Sequence, residues 1–165
     1  KLLRFDLDNA EGSVWETYIG KHMVFSLEQG NDSVTAVTAG GAYLLDTDTG
    51  EIAAQTDFLK NVYQIPGGEL RAVLFSDTAG GQVLTVYDDS LEAAASVSLD
   101  NVSRVRTDGS KLYSLSKRTL TVFNEELNEV ESAELDDDYS DMLIIGGNAY
   151  LLGYNTVQRV ELGTH

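Results

Sequence analysis

The chain has 165 residues, of which 42% are apolar, and its 11 Lys and Arg residues against 27 Asp and Glu residues give a net charge of −16. Because phosphate groups are bound by basic surfaces, this balance argues against nucleic acid as a partner and against docking to an anionic membrane. The absence of cysteine excludes disulfides and thiolate metal sites, and without an apolar run of about 18 residues no segment is expected to insert into a membrane.

Strands are predicted along most of the chain, because β-branched and aromatic residues alternate with polar residues. In chain order, the clearest runs are Leu2–Leu7, Ser33–Thr38, Gln82–Tyr87, Val102–Arg106, Lys111–Leu115, Thr119–Phe123 and Thr156–Leu162. Turns are predicted between strands at Gly40-Gly41, Pro66, Gly67-Gly68, Gly80-Gly81, Asp108-Gly109 and Gly146-Gly147. The one helix candidate is Leu91–Ala95, where we expect a strand instead because Ser96–Leu99 continues the segment in a strand pattern.

A unit of two strands joined by a short turn recurs along the chain, and its first strand ends at an acidic or amide residue that we call the anchor. The anchors are Asp6, Asp46, Asp88, Asn124 and Glu161, so the steps between them are 40, 42, 36 and 37 residues. Asp and Asn suit this place because their side chains bond the backbone of a tight turn. Two further strands lie between consecutive anchors, which gives four strands per period.

A period of about 40 residues with four strands is typical of the blade of a β-propeller. A four-stranded sheet is too small to bury both of its faces alone, so blades stack face to face around an axis. The pattern predicts two strands of one blade, three complete blades and three strands of a fifth, or 17 strands. We therefore predict an all-β fold: a β-propeller or propeller segment of about four blades, each with four antiparallel strands, in a single domain over residues 1–165.

Residues Ala42–Ile52 resemble the hairpin between the third and fourth strands of quinoprotein-type propeller repeats, which carry Leu-Asp, two or three residues, Thr-Gly and an aliphatic strand. Those repeats also carry a Trp, and here only Trp15 stands near such a position. As a repeat shape, most of the chain resembles quinoprotein and WD-repeat-like propellers, and also uncharacterised anchored propellers of Gram-positive bacteria. The resemblance implies a fold and no particular activity.

Both ends of the chain have strand patterns, so we expect it to be part of something longer. Three arrangements fit the repeat count. The chain belongs to a propeller of about six to eight blades, or two chains pair to complete one ring, or four blades close alone with the N-terminal strand completing the last blade. An open arrangement leaves blade faces and strand edges exposed, which favours association.

Two acidic segments are candidates for binding a cation. The segment Asp46-Thr47-Asp48-Thr49-Gly50, with Asp57 further on, partly resembles a calcium loop, but Gly50 and Glu51 do not match the fifth and sixth positions of that loop. We therefore expect a hairpin turn there. The run Asp136-Asp137-Asp138 lies within residues 119–158, which contain nine acids and no Lys or Arg. We expect a solvated acidic surface, with a site for a basic partner as the alternative.

The remaining residue types give no catalytic site. His22 and His165 are the only histidines, which excludes a site with several His ligands, and we expect His22 to be a structural strand residue. We expect the tyrosines to pack blades rather than to bind sugar; they are Tyr18, Tyr43, Tyr63, Tyr87, Tyr113, Tyr139, Tyr150 and Tyr154. The glycine pairs precede strands rather than helices, so no phosphate loop is predicted. No catalytic, cofactor-binding or metal residue is assigned, binding residues stay unknown, and no cofactor is expected.

The sequence favours a non-enzymatic recognition or scaffold module of a bacterial extracytoplasmic protein, with the cytoplasm as the alternative compartment. Propeller loops would contact a partner protein or a second copy, and the acidic charge would steer the encounter. One alternative is an enzyme or sensor with a ligand, such as a carbohydrate, at the propeller axis, although no carboxylate pair stands out. The other is a structural oligomerisation module.

Overall fold

The computed structural model describes residues 1–8, 12–58, 61–64, 72–76 and 81–163. Over these residues the fold is all-β, with 17 strands in five antiparallel sheets. In chain order the sheets hold two, four, four, four and three strands, which confirms the predicted unit of four strands. Within the described part of the chain, no helix is long and apolar enough to cross a membrane.

One compact unit comprises residues 1–59 and 89–92, and it contains the first two sheets. Sheet 1 consists of β1 (Leu2–Phe5) and β2 (Ser13–Thr17). Sheet 2 consists, in spatial order, of β3 (Val24–Gln29), β4 (Ser33–Thr38), β5 (Gly41–Asp46) and β6 (Ile52–Asp57).

Sheet 1 packs on sheet 2 through a small apolar core, formed by Ile19, Ala36 and Leu45 with Leu2, Trp15 and Tyr43 against them. Two hydrogen bonds fasten β2 to the turn before β6. Trp15 Nε1 donates to the carbonyl of Thr47 at 2.9 Å, and Thr17 Oγ1 donates to the carbonyl of Gly50 at 2.6 Å. Gly50 has a φ of +73°, and a Cβ added to it would lie 2.5 Å from Trp15 Cδ2. Glycine therefore meets both the backbone and the space requirement at this turn.

The other compact unit comprises residues 60–88 and 93–165, and it contains three sheets. Sheet 3 consists of β7 (Asn61–Gln64), β8 (Ala72–Ser76), β9 (Gln82–Tyr87) and β10 (Ala93–Leu99). Sheet 4 consists of β11 (Val102–Thr107), β12 (Leu112–Ser116), β13 (Thr119–Phe123) and β14 (Glu129–Glu134). Sheet 5 consists of β15 (Asp141–Ile145), β16 (Asn148–Leu152) and β17 (Val157–Glu161).

Sheet 4 is apolar on both faces because it lies between sheets 3 and 5. Along β12, Leu112 lies in the core shared with sheet 3, whereas Tyr113 and Leu115 lie in the core shared with sheet 5. From sheet 5, Met142 and Leu151 complete the second core. Alternate side chains of one strand therefore support two interfaces, as expected of a strand in stacked sheets.

Three of the anchors, Asp6, Asp46 and Asn124, accept backbone hydrogen bonds in the turns that follow them, as their side chains predict. The Asp6 carboxylate accepts a hydrogen bond from the amide of Asp8 at 3.0 Å, and Asn124 Oδ1 accepts one from the amide of Asn128 at 2.8 Å. The strand ladder is irregular at the residue directly before each of the first four anchors, namely Phe5, Leu45, Tyr87 and Phe123. The repeat is thus one of structure as well as of sequence.

The helix candidate at Leu91–Ala95 is not helical, which confirms the expected strand: β10 begins at Ala93. Leu91 lies in the preceding turn with a φ of +61°, and Leu127 has a φ of +59° in the corresponding turn of sheet 4. Both leucine side chains are buried. Of the predicted turn residues, Pro66, Gly67-Gly68 and Gly80 lie outside the described residues, as does His165.

Candidate functional site

A concavity of about 510 Å³ lies at one end of sheet 4. Antiparallel strands alternate in direction, so every second connection reaches the same end of a sheet. Here these are the connections β10–β11, β12–β13 and β14–β15. The lining residues all come from these connections and the adjoining strand ends: Asp100, Asn101, Ser116, Lys117, Arg118, Thr119 and Asp138.

Backbone bonds hold the loops of the concavity in place. The amides of Leu135 and Tyr139 donate to the carbonyls of Arg118 at 2.8 Å and Lys117 at 3.0 Å, which fastens the segment after β14 to the β12–β13 turn. Ser116 Oγ donates to the carbonyl of Asp100 at 3.2 Å, which joins the β10–β11 turn to the same group. The site is therefore built on fixed loops at the end of a buried sheet.

The concavity carries charges of both signs. Arg118 Nε lies 2.8 Å from Asp138 Oδ1, and this hydrogen bond and the carboxylate charge raise the pKa of the arginine. Both side chains of the pair are largely exposed, so we expect it to add little to stability. Lys117 and Asp100 are exposed as well, and neither has an ion-pair partner within the described residues. The concavity thus offers one ammonium and one carboxylate to an incoming molecule.

A general acid at neutral pH needs a carboxyl group with a raised pKa. Among the residues that the structure describes, Asp46 and Asp108 have a lowered pKa, and neither lines the concavity.

Asp46, the first residue of the calcium-like segment, is committed to its own turn. Its Oδ1 accepts hydrogen bonds from the amides of Asp48 and Thr49 at 3.0 and 2.7 Å, and from Thr49 Oγ1 at 2.9 Å. The bonds from Thr49 and Asp48 lower the pKa of Asp46. Within the described residues, no three His, Asp or Glu side chains are grouped so that they could hold a metal ion.

The acidic run borders the concavity. Asp136 and Asp137 are exposed, as predicted for a solvated surface, whereas Asp138 pairs with Arg118. The structure brings Asp138, the last residue of this run, together with Asp100, which is far away in sequence.

The position of His22 differs from the prediction that it is a strand residue. It lies before β3 rather than within a strand, and it is exposed. A Cβ added to Gly40 would lie 2.3 Å from His22 Cδ2, so the imidazole lies against the backbone of that glycine. The side chain covers a turn and is joined by no other histidine in the described residues.

The tyrosines divide into three groups by burial, of which one, with Tyr43, Tyr87 and Tyr150, is half-buried. Tyr113 and Tyr139 are buried in the core between sheets 4 and 5, and Tyr43 packs in the core of sheets 1 and 2, as predicted for packing residues. The prediction is wrong for Tyr18 and Tyr154, which are 57% and 97% exposed. The side chain of Tyr63 lies outside the described residues.

Sequence reasoning missed Lys117, Arg118 and Asp100 as members of one site. The signal available was the position of Lys117-Arg118 directly before the stretch 119–158, which has no Lys or Arg. That Asp100 lies close to Lys117 and Arg118 could not be predicted from the sequence, because it depends on two connections meeting at the same end of the sheet.

No family model matches this chain, and no curated protein is similar to it in sequence. Solved structures share its fold at low identity. The computationally designed Ika4 protein has a TM-score of 0.64 and 12% identity, with 89% of this chain and 96% of that chain covered. BamB from Moraxella catarrhalis has a TM-score of 0.53 and 14% identity, with 76% and 39% covered. Hsv2 from Kluyveromyces lactis has a TM-score of 0.55 and 12% identity, with 87% and 46% covered.

BamB and Hsv2 are β-propellers, so the predicted fold is confirmed. The comparisons support no assignment to quinoprotein or WD-repeat families in particular. This chain spans less than half the length of BamB and of Hsv2, and nearly all of Ika4.

Proposed function

We propose that this chain is a non-enzymatic recognition module that binds a basic segment of a partner protein through the concavity at the end of sheet 4. The observation that carries the proposal is the fixed set of loops that presents Lys117 and Asp100 in the concavity, with Asp136 and Asp137 exposed in the loop that also supplies Asp138. Propellers commonly bind through loops held by a rigid stack of blades.

The charge of the chain supports a basic partner. A net charge of −16 creates a field that draws cationic groups towards the surface and raises the rate of encounter. Asp100 in the concavity, with Asp136 and Asp137 in the adjoining loop, would receive the cations, and Lys117 would require an acid or a carbonyl at one defined position of the ligand. The single ammonium therefore fixes the position of the bound segment along the site, and the acids attract the segment.

The proposal also includes a bacterial, extracytoplasmic setting. The absence of cysteine is compatible with this setting and equally with the cytoplasm, because a chain without thiols is unaffected by an oxidising compartment. Fractionation of the source cells, followed by detection of the chain with an antibody, tests the setting. Recovery of the chain with cytoplasmic markers would overturn that part of the proposal.

A peptide display experiment tests the binding site. A library of random 12-residue peptides would be selected on the wild-type chain, on a site variant with Asp100→Asn, Asp136→Asn and Asp137→Asn, and on a control variant. The control carries Glu125→Gln, Glu126→Gln and Glu129→Gln at the opposite end of sheet 4, so it has the same net charge as the site variant.

We expect wild type to select peptides rich in Lys and Arg. The site variant should bind them about tenfold more weakly, because three exposed charge contacts together contribute about 1.4 kcal/mol. The control should keep its affinity within about a factor of two. Equal losses in both variants would show that only the overall field attracts the peptides, and failure of wild type to select basic peptides would overturn the proposal.

A further inference from the structure

The repeat allows the same position to be compared in neighbouring sheets. Residues 111–124 of sheet 4 align without a gap with residues 148–161 of sheet 5. The strand registers agree with this alignment, since Leu115 pairs with Leu120 across β12 and β13, and Leu152 pairs with Val157 across β16 and β17. Leu152 is therefore the counterpart of Leu115, and Val157 is the counterpart of Leu120.

These counterparts differ sharply in exposure. Leu115 and Leu120 are both 0% exposed, because sheet 5 covers that face of sheet 4. Leu152 and Val157 are 48% and 69% exposed. We call this side of sheet 5 the trailing face; it also carries Leu143 and Ile145, which are 56% and 55% exposed. Five large apolar side chains, Tyr150 included, thus form a surface of the kind that another blade covers in sheet 4.

Sheet 1 exposes the complementary kind of surface. Its β1 aligns with β13, so Phe5 is the counterpart of Phe123, and both stand at the same irregularity of the ladder. Phe123 is 3% exposed in the core between sheets 3 and 4, whereas Phe5 is 56% and Leu3 is 42% exposed. We call this side of sheet 1 the leading face, because its counterpart in sheet 4 packs on the sheet before it.

Both faces are nearly neutral although the chain is strongly acidic. On the trailing face Arg159 pairs with Glu161, and on the leading face Lys1 pairs with Glu16. Depletion of unpaired charge together with large apolar side chains is typical of the central part of a protein interface. Contact between such faces would not bring the excess negative charge of the chain into the buried area.

We propose that the trailing face of one copy of this chain packs on the leading face of a second copy. The second copy is the favoured occupant because the same chain carries both halves of the missing blade contact. Length agrees with this, since one chain covers 39% of BamB and 46% of Hsv2, so two copies approach the length of one such propeller. The association is head to tail, because each contact joins two different faces.

Light scattering coupled to size-exclusion chromatography tests this with three double variants. The trailing variant carries Leu152→Glu and Val157→Glu, and the leading variant carries Leu3→Glu and Phe5→Glu. The control carries Ile52→Glu and Val130→Glu, which replace two apolar residues that are also exposed, at 39% and 52%, outside both faces. Circular dichroism checks that each variant is folded, and Thr would replace Glu at the same positions in a variant that is not.

We expect wild type and the control to have the mass of at least two chains, and each face variant to have the mass of one. The decisive sample is an equal mixture of the trailing and leading variants. It should form a dimer again, because the intact trailing face of one variant meets the intact leading face of the other. A monomeric wild type overturns the proposal, as does a mixture that stays monomeric or a control that dissociates.

Discussion

The side chain of Gln82 binds both backbone groups of Val102: its Nε2 donates to the carbonyl at 3.0 Å, and its Oε1 accepts from the amide at 2.6 Å. Gln82 begins β9 in sheet 3, Val102 begins β11 in sheet 4, and both are buried. The carboxamide thus pairs with the first residue of the next sheet as a neighbouring strand would. Two polar backbone groups that burial would otherwise leave unpaired are satisfied.

Replacement of Gln82 by Met keeps the size of the side chain and removes both bonds. We expect the free energy of unfolding to fall by about 2–4 kcal/mol, because two buried backbone groups lose their partners. Urea denaturation measures the change. Gln55→Met is the matched control, since Gln55 is exposed on β6, and its effect should stay within about 0.5 kcal/mol. Equal effects of the two substitutions would show that the Gln82 bonds contribute nothing.

Leu127 combines a strained backbone with a buried side chain. Its φ of +59° costs about 1–2 kcal/mol for a residue with a Cβ, yet its side chain is 6% exposed in the core between sheets 3 and 4. Both Leu127→Ala and Leu127→Gly should lose about 2–4 kcal/mol of stability from the lost packing. The glycine variant should be the more stable of the two by about 1 kcal/mol, because it alone relieves the backbone.

The relative stability of the Ala and Gly variants at a second leucine provides the control for Leu127. Leu120 is fully buried within β13 and has ordinary strand geometry. There we expect Ala to be more stable than Gly, since Gly loses more conformational freedom on folding. Thermal and urea unfolding of the four variants show which of Ala and Gly is the more stable at each position. The same order at the two positions would mean that the backbone at Leu127 is not strained.

The strands and their grouping were predictable because their signals are local. Asp46 and Asn124 mark turns through bonds to residues two to four positions away, and the alternating pattern of β13 is contained within five residues. The role of Gln82 was not predictable, because a polar residue at the start of a strand has the same pattern whether it faces solvent or the next sheet. The concavity escaped prediction for a related reason: Asp100 and Lys117 meet only through the topology of sheet 4.

Gly50 should be intolerant of substitution for two separate reasons. Alanine there would have an unfavourable φ of +73°, and its Cβ would lie 2.5 Å from the indole of Trp15. We expect Gly50→Ala to lose about 2–4 kcal/mol of stability, of which the backbone accounts for about 1–2. Because Trp15 is the only tryptophan, its fluorescence should also shift to longer wavelength as the ring is displaced towards solvent.

Gly109→Ala separates the two costs at Gly50. Gly109 has a φ of +97°, but a Cβ added there meets nothing within 4 Å. Its substitution should therefore lose only the stability that the unfavourable φ costs, and it should leave the emission of Trp15 unchanged. If the two alanine variants lose equal stability, the contact with Trp15 is not what requires glycine at position 50.

Asp108 and Tyr113 form a pair whose contribution depends on pH. The Asp108 carboxylate accepts hydrogen bonds from Tyr113 Oη at 2.5 Å and from the amides of Ser110 and Lys111 at 2.9 and 2.8 Å. Burial would raise the pKa of Asp108, but these bonds outweigh it and the pKa is lowered. Burial and the bond to Asp108 raise the pKa of Tyr113, so the phenol stays protonated in the folded chain well above pH 10.

The sign of the pH dependence follows from the lowered pKa of Asp108. Its stabilisation is fully present above the unfolded pKa of about 3.9 and is lost as the pH falls through the lower folded value. We expect Tyr113→Phe to cost about 1 kcal/mol at pH 7, and the difference from wild type to shrink below about pH 4. Tyr150→Phe, at the counterpart position in sheet 5, should show no such dependence, because no described residue accepts a hydrogen bond from Tyr150. A Tyr113→Phe deficit that stayed constant from neutral pH to about pH 2.5 would assign the loss to packing rather than to the charged hydrogen bond.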